Sequence, residues 1–311
     1  MRPLSRSFSL RFLFAKVAAV AVAIFVVLFA YERYQLNQAR KSGWEIVETA
    51  KGLRVQFGDK QYWNLMRSRL HSFHDVTDLH VIYALEKEEW YFIVSQKNLQ
   101  SLRLERSRVT SSSINRLGDL ASLKQLSFLS CDLQQGAFQA VGNLDGLETL
   151  ELDEGWLSAE QVQEIARLSS LRHLKLGRSD CFPYLRQLRN LESIEYSVGN
   201  EHFHTPMPPK YLKILLDFPR LKELSIRNNR TFRLEHFDVL GNCMHLELLD
   251  LRTSEISRQG LRHFQAIRPN VVFLYDEDLV NWEELDEPDI VPVQRDTLLE
   301  QPLPEALECA Q

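Results

Sequence analysis

Histidine pairs at short spacing are where this 311-residue chain comes nearest to chemistry. His202-Phe203-His204 sets two imidazoles on alternate residues of an extended segment, where they share one side and can reach one metal ion with neighbouring Glu201. His71 and His74 stand three apart, the spacing of one helix face. A bare His-x-His in a loop is weak evidence, and an exposed polar loop is the better reading; His71 and His74 read as surface or satisfied core residues. There is no glycine-rich phosphate loop, no His-Glu-x-x-His and no nucleophile elbow. Serines, histidines and aspartates occur, yet no spacing selects a triad. Cys131, Cys181, Cys243 and Cys309 show no paired spacing, and three of them sit where small apolar residues belong, as buried free thiols do. No catalytic, cofactor or metal residue is assigned, and the chain reads as non-enzymatic.

Charge narrows the classes further. The net charge of −5 conceals an asymmetry: residues 276–311 hold twelve acids and one base, Arg295, so the first 275 residues are formally +6. The apolar fraction of 44 % and the charged fraction of 25 % are those of a folded protein.

What the chain does contain is a repeat. Leu147-x-x-Leu150-x-Leu152 returns 24 residues later as Leu171-x-x-Leu174-x-Leu176. Apolar residues at i+3 and i+5 lie on one face of a strand. Between the copies, Val162, Ile165 and Leu168 recur at the spacing of one helix face. Strand starts fall at Leu79, Leu99, Leu123, Leu147, Leu171, Leu191, Leu221 and Leu246, with a closing strand near Val271–Tyr275. The steps range from 20 to 30 residues, but apolar residues three, six and nine before each start survive every change of length. Examples are Leu120, Leu117 and Ile114, then Leu188, Leu185 and Phe182, then Phe218, Leu215 and Leu212. Insertions therefore sit between strand and helix, where a solenoid tolerates them. Trp90, Ile93 and Gln96 are a degenerate first copy.

An apolar residue also stands ten after several starts (Val109, Leu133, Leu157, Cys181, Ile256). Together these residues resemble the leucine-rich repeat, Leu-x-x-Leu-x-Leu-x-x-(Asn/Cys)-x-Leu, which Leu123 to Leu133, with Phe128 and Cys131, fits throughout. Leu246 to Gly260-Leu261 looks like the bacterial subclass of roughly 24 residues. The resemblance implies an α/β, right-handed solenoid, with parallel strands on the concave face and short helices on the convex one. Where such repeats often place an asparagine that ties coils together, this chain has Ser107, Gly155, Ser179 and Ser254. Hydroxyl bonds or water are expected there.

Strand residues two, four and six after each start point away from the core. They alternate in charge instead of forming a basic stripe, which argues against nucleic acid and suits a protein or peptide partner. The candidate partner-binding residues are Arg103, Glu105, Glu151, Asp153, Trp156, His173, Lys175, Glu195, Arg227, Asp250 and Arg252. Trp156, at a strand exit, is an anchor candidate; packing against a neighbouring loop is an equal reading.

The ends complete the organisation. Residues 1–11 are basic. Residues 12–31 are apolar apart from Lys16, and a helix of that length spans about 30 Å, the thickness of a bilayer core. An uncleaved single-pass signal anchor is favoured over a cleaved secretory signal, because cutting at Ala21–Ala23 leaves an apolar run behind. Arg2, Arg6 and Arg11 before the span and Lys16 near its start, against Arg33, Arg40 and Lys41 after it, place the N-terminus in the cytoplasm and the repeats outside. Residues 32–43 read as a stem. Residues 44–78 read as an N-terminal cap, with strands around Trp44–Val47 and Leu53–Phe57 and an amphipathic helix over Tyr62–Phe73. Residues 79–275 read as the solenoid. Residues 276–311 read as an acidic, largely disordered tail, opening with a short acidic helix over 276–288. The expected function is a membrane-tethered module that binds a protein partner through the strand face or the insertion loop. The alternative is an envelope scaffold without a discrete ligand.

Overall fold

Burying one strand face and one helix face per repeat requires copies on either side of each, and the computed structural model shows them. It describes residues 34, 45–49, 52–57, 76–82, 87–134, 136–152, 157–177, 182–197, 209–229 and 232–281. Their order is β1 (Glu45–Thr49), β2 (Gly52–Phe57), β3 (Val76–Ile82), α1 (Lys87–Ser95), β4 (Ser101–Glu105), β5 (Arg108–Val109), α2 (Ser111–Leu117), β6 (Gln125–Leu129), β7 (Asp132–Leu133) and α3 (Ala137–Val141). Then come β8 (Thr149–Leu152), α4 (Ala159–Ile165), β9 (His173–Leu176), a 3-10 segment Phe182–Gln187, β10 (Ser193–Ser197), α5 (Pro209–Leu212), a 3-10 segment Lys213–Asp217 and β11 (Glu223–Arg227). The last are α6 (Leu234–Gly241), β12 (Leu248–Asp250), β13 (Ile256–Ser257), α7 (Arg258–Ile267), β14 (Val272–Leu274), a 3-10 turn Glu277–Leu279 and β15 (Val280–Asn281).

Eleven of the described strands form one sheet in chain order, β1-β2-β3-β4-β6-β8-β9-β10-β11-β12-β14. β1 and β2 are an antiparallel hairpin; every later pair is parallel. Numbering each coil from its start (Leu99, Leu123, Leu147, Leu171, Leu191, Leu221 and Leu246 as position 0), like positions pair with like: Ser101, Gln125, Thr149, His173, Ser193, Glu223, Leu248 and Val272 are successive partners. The first expected start is out of phase. Leu79 pairs with Leu102, a position 3, so the start of that coil is Val76. The sequence misled because Val76 is followed by an apolar residue at +3 and another at +5, and Leu79 alone carries the recurring leucine.

Below the sheet, positions 3 and 5 and the helical residues merge into one core, from Val55 to Val280. The spacing of three has a physical cause beyond α-helix. Each described helix before a coil start covers only part of the triplet, and the chain then closes with i→i−3 bonds. Leu120 N–H donates to Leu117 O and Leu123 N–H to Leu120 O, and the same pair recurs at Leu144/Leu147, Leu168/Leu171, Leu188/Leu191, Phe218/Leu221 and Cys243/Leu246. Three residues per turn is the geometry of a 3-10 turn, which keeps every third side chain on one line. The short repeat replaces its α-helix with 3-10 backbone altogether, at Phe182–Gln187.

Two further devices recur in the coils. The carbonyl at position 1 accepts both N–H groups of positions 1 and 2 in the next coil: Gln100 O from Lys124 and Gln125, Lys124 O from Glu148 and Thr149, Glu148 O from Arg172 and His173. At position 7 the chain turns left-handed, at Arg106 (φ 50°), Ser130 (48°), Asn228 (56°) and Thr253 (65°). One residue later sits the position where an asparagine was missing. Ser254 Oγ donates to Ile226 O of the preceding coil (3.1 Å) and accepts the Asn229 N–H (3.2 Å), while Cys131 Sγ donates to Leu104 O (3.3 Å). Gly155 and Ser179 lie outside the described residues.

The acidic helix expected over 276–288 is, as far as it is described, one 3-10 turn at Glu277–Leu279 followed by β15. β15 pairs with β13, and that pairing takes the backbone bonds a helix would need. No described helix is long and apolar enough to cross a membrane. Residues 12–31, where the sequence places a span, and 62–73, the expected cap helix, lie outside the described residues.

Candidate functional site: the strand face

In-register pairing puts position 4 of each coil beside position 4 of the next, one strand spacing (about 4.8 Å) away. Six of the candidate residues thereby form one continuous chain of ion pairs. Lys175 Nζ lies 3.2 Å from Glu151 and 3.5 Å from Glu195. Arg227 lies 3.7 Å from Glu195 and 3.7 Å from Asp250. Arg252 ends the chain on Asp250, 2.7 Å away. The signs cancel along the row. Asp250 is the deepest member, 4 % exposed among neighbours that are all more open. Burial acts to raise its carboxyl pKa, but the Arg252 hydrogen bonds and the Arg252 and Arg227 charges outweigh it, and hold the carboxyl below the usual carboxylate range.

The remaining candidates separate into three groups. Glu105 is engaged by His80 Nε2 at 3.2 Å and by Arg106 at 3.8 Å. Arg103 and His173 are exposed, and neither makes an ion pair among the described residues. Asp153 and Trp156 lie outside the described residues, as do the insertion loop 198–208 and both histidines of His202-x-His204. Around Arg103 the face carries short polar side chains: Ser101, Gln125, Ser127 and Thr149. The strand face thus has two halves. From Glu151 to Arg252 six charges are spent on one another, Glu223 standing exposed and unpaired among the described residues; from Ser101 to Thr149 Glu105 is held by His80 and Arg106, and Arg103 and the short polar side chains are left for solvent.

A second charged row went unread. Position 1 carries Lys124, Glu148, Arg172, Glu192, Lys222 and Glu247, strictly alternating in sign. Three pairs close across coils: Lys124–Glu148 at 3.1 Å, Arg172–Glu192 at 2.8 Å and Lys222–Glu247 at 3.7 Å. The shared carbonyl at this position holds these residues side by side. The signal was available in the sequence by reading position 1 down the coils, but that position precedes the strand and looks like turn.

No protein-family model and no curated protein sequence matches this chain. The solved structures it is similar to include two leucine-rich repeat proteins. One is an internalin from Listeria monocytogenes, 14 % identical over 70 % of this chain and 71 % of that one, with a TM-score of 0.44. The other is TLR13, in its complex with ssRNA13, 15 % identical over 70 % of this chain and 35 % of that one, with a TM-score of 0.43. This chain spans about a third of the TLR13 chain.

Among the described residues no group of three or more His, Cys, Asp or Glu side chains is placed to hold a metal ion. What the face offers a ligand, among the described residues, is a row of hydroxyls and amides beside the unpaired guanidinium of Arg103.

Proposed function

We propose that the chain is a leucine-rich repeat interaction module that binds a protein partner through the first half of its strand face, Ser101 to Thr149. One observation carries this: from Glu151 onward six charges of the face are paired with one another, whereas before it the Arg103 guanidinium is exposed with no ion pair among the described residues. A partner that engaged the paired half would have to break ion pairs already made, whereas a carboxylate meeting Arg103 replaces water only. The apolar run at residues 12–31 supports a single-pass anchor, and the basic residues at its N-terminal end, Lys16 included, support a cytoplasmic N-terminus with the repeats outside. The scaffold reading keeps one observation in its favour. Charges that satisfy each other along two rows suit a surface built to hold coils in register without any ligand.

The test is site-specific photo-crosslinking in the full chain, expressed in its native membranes. A benzoylphenylalanine at Ser127 is expected to trap one stoichiometric protein partner, and the same group at Arg116 on the helix side is expected to trap none. Adding Arg103→Glu is expected to abolish the Ser127 adduct. Adducts only between copies of the chain would favour the scaffold, and equal labelling from both sides would end the module reading. A reporter fused to either terminus and read for the side of the membrane it reaches checks the anchor independently.

A further inference from the structure

On the other rim, where the chain turns into its last three strands, lies an open groove of about 760 Å³, within the roughly 300–1,000 Å³ usual for ligand clefts. Pro219, Met244, Ile267 and Pro269 make its apolar wall, with Met244 75 % exposed and Ile267 41 % exposed. Large apolar side chains so exposed on one wall mark a contact surface. The charges around it are unbalanced. The two acids on the lining, Glu192 and Glu247, are already held by Arg172 and Lys222. The two remaining guanidiniums have no carboxylate among the described residues. Arg220 is exposed, and Arg268 spends its donors on four backbone carbonyls, those of Gly241, Cys243, Met244 and Leu246. Such a groove fits a peptide with acidic and apolar residues interleaved.

We propose that the occupant is the chain's own C-terminal segment, residues 282–311. That segment carries nine acids against one base, Arg295, and interleaves them with Leu298-Leu299, Leu303 and Leu307. It begins beside the groove's coils, because β15 ends at Asn281 on the far rim, paired with β13. Crossing the width of a coil, about 20 Å, takes roughly six extended residues, and the rest can lie along the groove. A tether this short keeps the segment at an effective concentration on the order of millimolar. A weak contact is then well occupied.

The experiment places benzoylphenylalanine at Met244 of the full chain, in a mixture of isotopically labelled and unlabelled copies. The expected result is an adduct between position 244 and a peptide within 282–311 of the same copy. Its yield should fall by about two- to fivefold with Arg220→Glu, what one lost exposed ion contact supplies, and likewise in 0.5 M salt, where exposed charges are screened. Arg220 is exposed, so an unchanged melting temperature verifies the fold of that variant. Adducts between labelled and unlabelled copies, adducts on another protein, no adduct to 282–311, or a yield indifferent to Arg220→Glu would each overturn the proposal. The strand-face experiment reads a different surface and stands or falls apart from this one.

Discussion

Arg252 grips Asp250 with two parallel donors, Nε to Oδ1 at 2.9 Å and Nη2 to Oδ2 at 2.7 Å, and adds its own N–H to Oδ1 at 3.1 Å. A carboxylate that accepts a fork and a backbone donor while nearly buried depends on its charge. Asp250→Asn is expected to lower stability by about 1–3 kcal/mol at neutral pH, the worth of hydrogen bonds to a charged group. The pH dependence follows from the direction of the shift. A carboxyl held below its unfolded value, about 3.9, contributes stability that is complete above that value and disappears as pH falls through the lower, folded one. The melting-temperature gap between wild type and Asp250→Asn should therefore be constant from pH 7 to about 5 and narrow below about 4. A gap that widens on acidification would contradict the assignment.

Gln96 occupies the position three before a coil start, which every later described coil gives to Leu120, Leu144, Leu168, Leu188, Phe218 or Cys243. It is 2 % exposed. Its amide nitrogen reaches Ser95 Oγ at 3.0 Å, but Oε1 has no partner among the described residues. An unsatisfied buried acceptor costs about 1–3 kcal/mol, and leucine has similar volume without the polar atoms. Gln96→Leu is expected to raise stability by about 1 kcal/mol, measured by urea denaturation with an unchanged m-value. A fall in the midpoint would show that the amide is needed.

The architecture was legible because its signal is redundant. Leu102, Leu126, Leu150, Leu174, Ile194, Leu224 and Leu249 all occupy one line of the core, and no single substitution hides such a line. The phase of the first coil was not legible, since Val76 and Leu79 are both apolar and only the pairing of Leu79 with Leu102 decides between them. The candidate site was half legible. Alternation told which side chains leave the core, so Arg103, Glu151 and Lys175 were found. That Lys175 bridges two coils could not be read, because it depends on pairing partners 20 and 24 residues away and on their exact register. Periodicity gives the face; register decides which of its charges are free.

Ser130 closes β6 in the left-handed region, at φ 48°. Such a conformation costs an L-residue roughly 1–2 kcal/mol and glycine nothing. Its side chain is exposed and makes no hydrogen bond among the described residues. Ser130→Gly is expected to stabilise by about 0.5–1 kcal/mol after the added entropy of the unfolded chain is subtracted. Asn228→Val at the equivalent position, φ 56°, should destabilise instead, because a β-branched side chain tolerates this region least. Thermal melts of the two variants should move in opposite directions; a shift in the same direction would remove the left-handed position as their common cause.

Gly260 stands in the first turn of α7, where alanine would ordinarily favour helix by about 1 kcal/mol. Here the surroundings decide otherwise. A β-carbon at this position would lie 2.4 Å from Phe237 Cδ2, 2.7 Å from Cε2 and 2.8 Å from Ser257 Oγ. The phenyl ring has nowhere to go: Phe232, Phe264 and Phe273 surround it with ring centroids 6.0, 5.6 and 6.0 Å away. Ser257 Oγ in turn accepts the Gly260 N–H at 3.1 Å as the helix cap, so displacing it loses a second contact. Gly260→Ala is therefore expected to destabilise by about 1–3 kcal/mol despite its better propensity. Gly146→Ala is the control. Its nearest atoms, Leu123 O and Lys124 Nζ, are 4.0 Å away, and its melting temperature should match wild type or exceed it. Equal melting temperatures for the two variants would mean that the last two helices do not approach as closely as Phe237 and Gly260 require.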